Sequence, residues 1–129
     1  MKKTNFEISK QLAEAGFEGE TDFIWNREII NCGNLSKEHK FIKYNNGWSS
    51  GEVICPAYDL ETILEALPNF IVNKNQGENC LVIDVAFGEI HYEGDNENDT
   101  LFITTTRNNE SLADIAAKLW LKLKKEGLV

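Results

Sequence analysis

No stretch of this sequence approaches the roughly 18 consecutive apolar residues that a membrane-spanning helix needs, so no membrane association is expected. The first residues, Met-Lys-Lys-Thr-Asn-Phe-Glu-Ile, carry two lysines and then turn polar and acidic, which argues against a secretory leader. Cysteine is scarce. Cys32, Cys55 and Cys80 are odd in number, far apart and flanked by core-like residues such as Ile30, Ile54 and Leu81. They read as reduced thiols packed as small hydrophobes, with Cys80 buried and inert, in a reducing compartment. A cytoplasmic location is expected, and the triplets at Asn34, Asn98 and Asn109 then mean nothing for glycosylation.

Positive charge is also short. Thirteen basic against 21 acidic side chains leave a formal charge of −8, which repels phosphate backbones and makes direct nucleic-acid binding unexpected. The cluster Lys118, Lys122, Lys124 and Lys125 sits where cations complement a helix dipole and solvate an outer face. No Gly-x-Gly-x-x-Gly or Walker sequence offers a nucleotide cradle. His39, His91 and the three cysteines lack the Cys-x-x-Cys or His-x-x-x-His spacing that pre-positions zinc ligands, so neither metal nor cofactor is expected.

What is present fits one α+β domain over residues 1–129. Its 42% hydrophobic and 26% charged residues are ordinary for a globular chain of one core. The pattern predicts a helix from about Asn5 to Ala15, opened by a Thr4-x-x-Glu7 capping box and closed at Gly16. Asp22 to Ile30 is β-rich, with large residues on both faces, which suggests two-sided burial or a bulge. Phe41 to Tyr44 runs into Asn45-Asn46-Gly47, a hairpin signal with a partner strand from Trp48 onward. Asp59 should cap a short helix from Leu60 to Leu67, stopped by Pro68, with Ile63, Leu64 and Leu67 inward. A short strand at Asn69 to Val72 is followed by a three-stranded antiparallel meander: Cys80 to Phe87, Ile90 to Glu93 and Thr100 to Thr106. Leu81, Ile83, Val85 and Phe87 should face a long C-terminal helix from about Glu110 to Glu126.

Few groups carry a chemical signal. The loop Asp95-Asn96-Glu97-Asn98-Asp99 begins like a calcium loop, but Thr100 and Thr106 stand where glycine and a bidentate glutamate belong, so it reads as a solvated turn. Asp84 is a carboxylate in an otherwise apolar strand. It marks either the solvent side of a one-layer sheet or an acid lining a cleft. Glu89 and His91 are close enough in sequence to make an acid/base pair, and Cys55 beside Pro56 is the best placed nucleophile. Trp25, Trp48 and Trp120 read as core or interface residues. Leu121 falls about 160° from the buried stripe of the last helix at 100° per residue. With Leu128 and Val129 it forms a candidate patch for a two-fold homodimer.

Three blocks carry a resemblance: Ile8 to Phe17, Pro56 to Pro68, and Ser111 to Gly127 with its Ala-Lys-Leu-Trp-Leu-Lys-Leu core. Their order resembles small uncharacterised phage and prophage proteins of Bacteroidetes and other gut bacteria. The resemblance implies a mobile-element origin and a compact α+β fold, and it transfers no activity and no site residue. The function expected from the whole is that of a non-enzymatic accessory protein binding another protein, in the absence of convergent catalytic spacing. The alternatives are a small hydrolase or ligand-binding protein using Asp84, His91 or Cys55 in a cleft, and an acidic DNA mimic with carboxylates arrayed on one surface.

Overall fold

A computed structural model describes residues 3–45, 51–73, 77–94, 100–106 and 110–129. They form an α+β fold of three helices and two antiparallel sheets. No helix among them is long and apolar enough to cross a membrane. The acidic loop at Asp95–Asp99, Trp48 and most of the Asn45-Asn46-Gly47 turn lie outside the described residues.

Helix α1 spans Phe6–Glu14 and is capped by Asn5, whose side chain accepts the Ile8 N–H at 2.9 Å. The expected cap, Thr4, is committed elsewhere. Its N–H donates to the Tyr58 carbonyl at 2.8 Å and its buried hydroxyl pairs with that of Ser9, so the next residue takes the capping role. After α1 the chain turns back at Gly16, and the Phe17 N–H reaches the Leu12 carbonyl at 3.0 Å.

Strand β1 (Phe23–Cys32) lies at the centre of the first sheet, between β2 (Leu35–Tyr44) and β3 (Glu52–Pro56). The turn that joins β1 to β2 is Gly33-Asn34. Gly33 has φ +64° and Asn34 is not among the positive-φ residues, the pattern of a two-residue type II′ loop whose twist matches the flanking strands. This corrects the expected hairpin. Tyr44 pairs with Phe23, so β2 returns along β1, and β3 joins the opposite edge of β1 with a register shift between Trp25 and Asn26.

Helix α2 (Leu60–Ala66) is capped by Asp59, which accepts the Thr62 N–H at 2.9 Å, and its last turn gives way to Leu67 and Pro68. The second sheet follows: β4 (Phe70–Asn73), β5 (Gly77–Asp84), β6 (Glu89–Glu93) and β7 (Thr100–Thr105), in sequential order. Helix α3 (Leu112–Lys125) opens on a Ser111–Asp114 capping box.

The core joins α1, α2, α3 and the inner face of the second sheet. Leu12, Ile63, Ile90, Tyr92, Ile115, Leu119 and Leu123 are wholly buried. Each such aliphatic side chain contributes about 1.5–3 kcal/mol relative to exposure. Phe17 sets its ring edge-on against both Tyr58 and Trp120, with centroids 4.8 and 5.0 Å away.

Two expected faces need correction. Strand β5 starts and ends three residues earlier than the apolar run suggests, because Asp84 begins the turn into β6. Leu81 packs on the core, but Ile83 is 40% exposed although it pairs with buried Ile90, and Val85 and Phe87 fall in the turn and are 71% and 81% exposed. On α3, Leu121 is half-buried and packs against the core. The helix is embraced by α1, α2 and the sheet, so its covered arc is wider than one amphipathic stripe.

Candidate functional site

Alternation along β4 to β7 sends one set of side chains into the core and the other outward, where no described element covers the sheet. Register fixes the membership of that outer face. Phe70 stands opposite Cys80, which stands opposite Glu93; Val72 is opposite Glu78; Val82 is opposite His91; Asp84 is opposite Glu89. Phe70, Val72 and Ile103 are 56%, 71% and 47% exposed, and Cys80 is exposed as well. Apolar side chains thus stand on the outer face of β4, β5 and β7, while β6 contributes only Glu89, His91 and Glu93 there; Glu78 and Asp84 add carboxylates, and Lys122 reaches the Ile103 carbonyl at 3.2 Å.

His91 lies between two of those carboxylates. Its Nδ1 is 2.8 Å from Glu89 and its Nε2 3.9 Å from Glu93, with the ring largely covered by its neighbours. The Glu89 contact is close, but Nδ1 makes no hydrogen bond there. Across from His91 on β7 the ladder slips. Two residues, Phe102 and Ile103, oppose one, and Phe102 takes φ +54°. The bulge turns both Leu101 and Phe102 toward the core and leaves Ile103 outside.

The residues singled out from sequence are distributed as follows. Asp84 shares the outer face with His91, and its Oδ1 accepts the Phe87 N–H at 3.1 Å, so the carboxylate shapes the hairpin turn. Cys55 is on β3 in the other sheet, opposite Trp25 and 5% exposed. Burial raises its thiol above the ordinary range, which suppresses the thiolate. Cys55 therefore does not meet His91. Cys80, expected to be buried, is the exposed one of the two described thiols, and its position diagonal to His91 follows from the Val82–His91 and Cys80–Glu93 pairs. Among the described residues no three His, Cys, Asp or Glu side chains are grouped to hold a metal ion.

Leu128 and Val129 are 40% and 37% exposed, but Leu121 no longer extends their patch. Val129 instead helps to line a cleft of about 680 Å³ with Phe17, Glu65, Trp120 and Lys124. Trp25 donates its Nε1–H to the Thr4 carbonyl and Ser9 Oγ, both at 3.2 Å, and serves the α1 packing.

A second exposed feature has no counterpart in the sequence-based expectations. Among the described residues β3 pairs with β1 only between Ile24 and Arg27, and Glu28–Cys32 are paired with β2 alone, as a two-stranded arm. Its two faces carry exposed Ile29 (64%) on one side and Ile30 and Leu35 (41% and 75%) on the other. At its base Arg27 is paired with Glu52 and lies 3.6 Å from Glu38. The Gly-Asn dipeptide ten residues into a β-rich run was the signal that could have revealed it. No protein-family model, curated protein or solved structure matches this chain.

Proposed function

We propose that the protein acts by binding another polypeptide on the outer face of its four-stranded sheet. The observation that carries this reading is the exposure of Phe70, Val72, Cys80 and Ile103 on one sheet face, with half-buried Val82 between them and carboxylates around them. Exposed apolar area rimmed by polar groups is the signature of an interaction surface, and a rim of one charge sign selects a partner of the other. The ligand is thus a segment with apolar side chains flanked by lysine or arginine. Following the resemblance of its helical blocks, we place it as an accessory protein of phage or prophage type in the cytoplasm.

The DNA-mimic reading is less well supported, because nucleic acid presents its phosphates without an apolar stripe between them. Of the three residues of the hydrolase reading, Asp84 and His91 share the outer face, with Asp84 bonded into the hairpin turn, while Cys55 is buried in the other sheet.

Titration with synthetic peptides tests the proposal. An amphipathic peptide with alternating valine and lysine should shift backbone amide resonances of β4, β5 and β6, and its glutamate counterpart should not. Shifts confined to the C-terminal helix, or none with either peptide, would refute the reading.

A further inference from the structure

The run Glu89-Ile90-His91-Tyr92-Glu93 places a histidine between two carboxylates at a spacing of two, so strand alternation sets all three on the outer face. His91 Nδ1 is 2.8 Å from Glu89 and Nε2 is 3.9 Å from Glu93, and the side chain is 12% exposed. From β5 the face around it carries Val82 directly opposite, Cys80 and Asp84 on the diagonals, and Glu78 farther along. From β7 the described residues of this face are Ile103 and Thr105, neither of them charged. Lys122 comes from α3 to the sheet edge, where its ammonium donates to the Ile103 carbonyl. Among the described residues of β4 to β7, His91 is thus the one side chain that becomes a cation, and an imidazole does so within the physiological range.

We infer that His91 is a proton-operated switch on the outer face: neutral, it leaves Glu89 and Glu93 to a basic segment of the ligand; protonated, it engages both and weakens the hold. This rests on the reading that the face binds a segment with lysine or arginine, and it adds the regulation of that site. Neutral imidazole has one N–H, whereas the imidazolium donates from both nitrogens, and here each nitrogen already has a carboxylate beside it. Protonation therefore takes two acceptors from the ligand and lowers the negative charge of the face by one unit. Asp84 has no such part, because its Oδ1 accepts the Phe87 N–H in the hairpin turn. The other histidine, His39, is exposed on β2 in the first sheet and stacked on Phe41, which makes it an internal control.

Titration of the full chain with the valine-lysine peptide at about pH 7.5 and about pH 5.5 tests the inference, since lysine keeps its charge over this interval and carboxylates keep most of theirs. At low salt the wild-type Kd should rise about three- to tenfold at the lower pH, as one added charge near the lysines predicts. His39→Gln should show the same rise and His91→Gln should lose it, with circular dichroism confirming that both variants are folded at both pH values. A measurement on the wild-type chain alone gives the same answer: calorimetry at about pH 6.5 in two buffers of different ionisation enthalpy should show proton release on binding, because the ligand favours the unprotonated form. A wild-type Kd equal at the two pH values, a rise that persists in His91→Gln, or binding without proton release overturns the inference and leaves the peptide-binding reading standing. Absence of binding at either pH removes the reading and the inference together.

Discussion

Asp114 and Asn5, 109 residues apart, are joined by a 2.7 Å hydrogen bond from the Asn5 N–H to Asp114 Oδ1. The other carboxylate oxygen accepts the Ser111 N–H at 3.1 Å and closes the capping box of α3. One buried carboxylate therefore serves the N-terminal ends of two helices, where negative charge is favoured by both dipoles. Asp114→Ala should cost about 3 kcal/mol in urea unfolding, from two charged hydrogen bonds and a lost cap. Asp114→Asn, which keeps one accepting oxygen, should cost less. Equal losses in the two variants would show that the Asn5 and Ser111 contacts do not share the carboxylate as described.

The strained bulge makes an unusual ordering of substitutions. Phe102 holds φ +54° while its ring packs on the core, so packing offsets the backbone cost. Phe102→Ala should destabilise by about 2–4 kcal/mol. Phe102→Gly should destabilise less than alanine, by about 1 kcal/mol, because glycine accepts positive φ. Within a regular strand the order would be reversed, so thermal unfolding of the pair reads the backbone directly.

Gly88 also has positive φ, +61°, and a Cβ there would stand 2.1 Å from Thr106 Oγ1. Gly88→Ala should lower stability by about 2 kcal/mol or more from strain and overlap. Adding Thr106→Ala should return part of that loss, which chemical denaturation of the double variant measures.

Burial pushes the Tyr92 phenol up to about 12 from its ordinary value near 10, while its hydroxyl donates to the Pro68 carbonyl at 2.7 Å. The folded state holds this proton more tightly than the unfolded state. Its contribution to stability is complete below pH 10 and is lost as pH rises toward about 12. Tyr92→Phe should lower stability at neutral pH by about 1 kcal/mol and flatten the alkaline decline. Burial raises Tyr58 in the same direction, so some decline should remain in the variant.

The two described thiols should differ in reactivity. In a Cys32→Ser background, Cys80 should react with a disulfide reagent in the native state, and Cys55, buried with a raised pKa, only on unfolding. Mass-spectrometric mapping of the first modified site decides the order, and prior labelling of Cys55 would contradict the register of β3 under α1.

The sequence by itself determined the elements whose causes lie within one or two turns of chain. Asp59 caps α2 and Pro68 follows its end; the apolar stripe of α3 is the core stripe; and Leu81 faces the core from β5, although Ile83, two residues on, is 40% exposed. Tertiary structure decided which strands pair and how far each face is covered. Asn-Gly and Gly-Asn both signal a turn locally, and only pairing along all of β1 selects the second. Leu121 is covered because α3 has neighbours on three sides, Cys80 is exposed because no described element lies over the outer face of the second sheet, and among the described residues β3 pairs with β1 no further than Arg27. Caps and periodicity are short-range properties of the backbone, whereas burial is set by residues distant in sequence, as Asp114 is from Asn5.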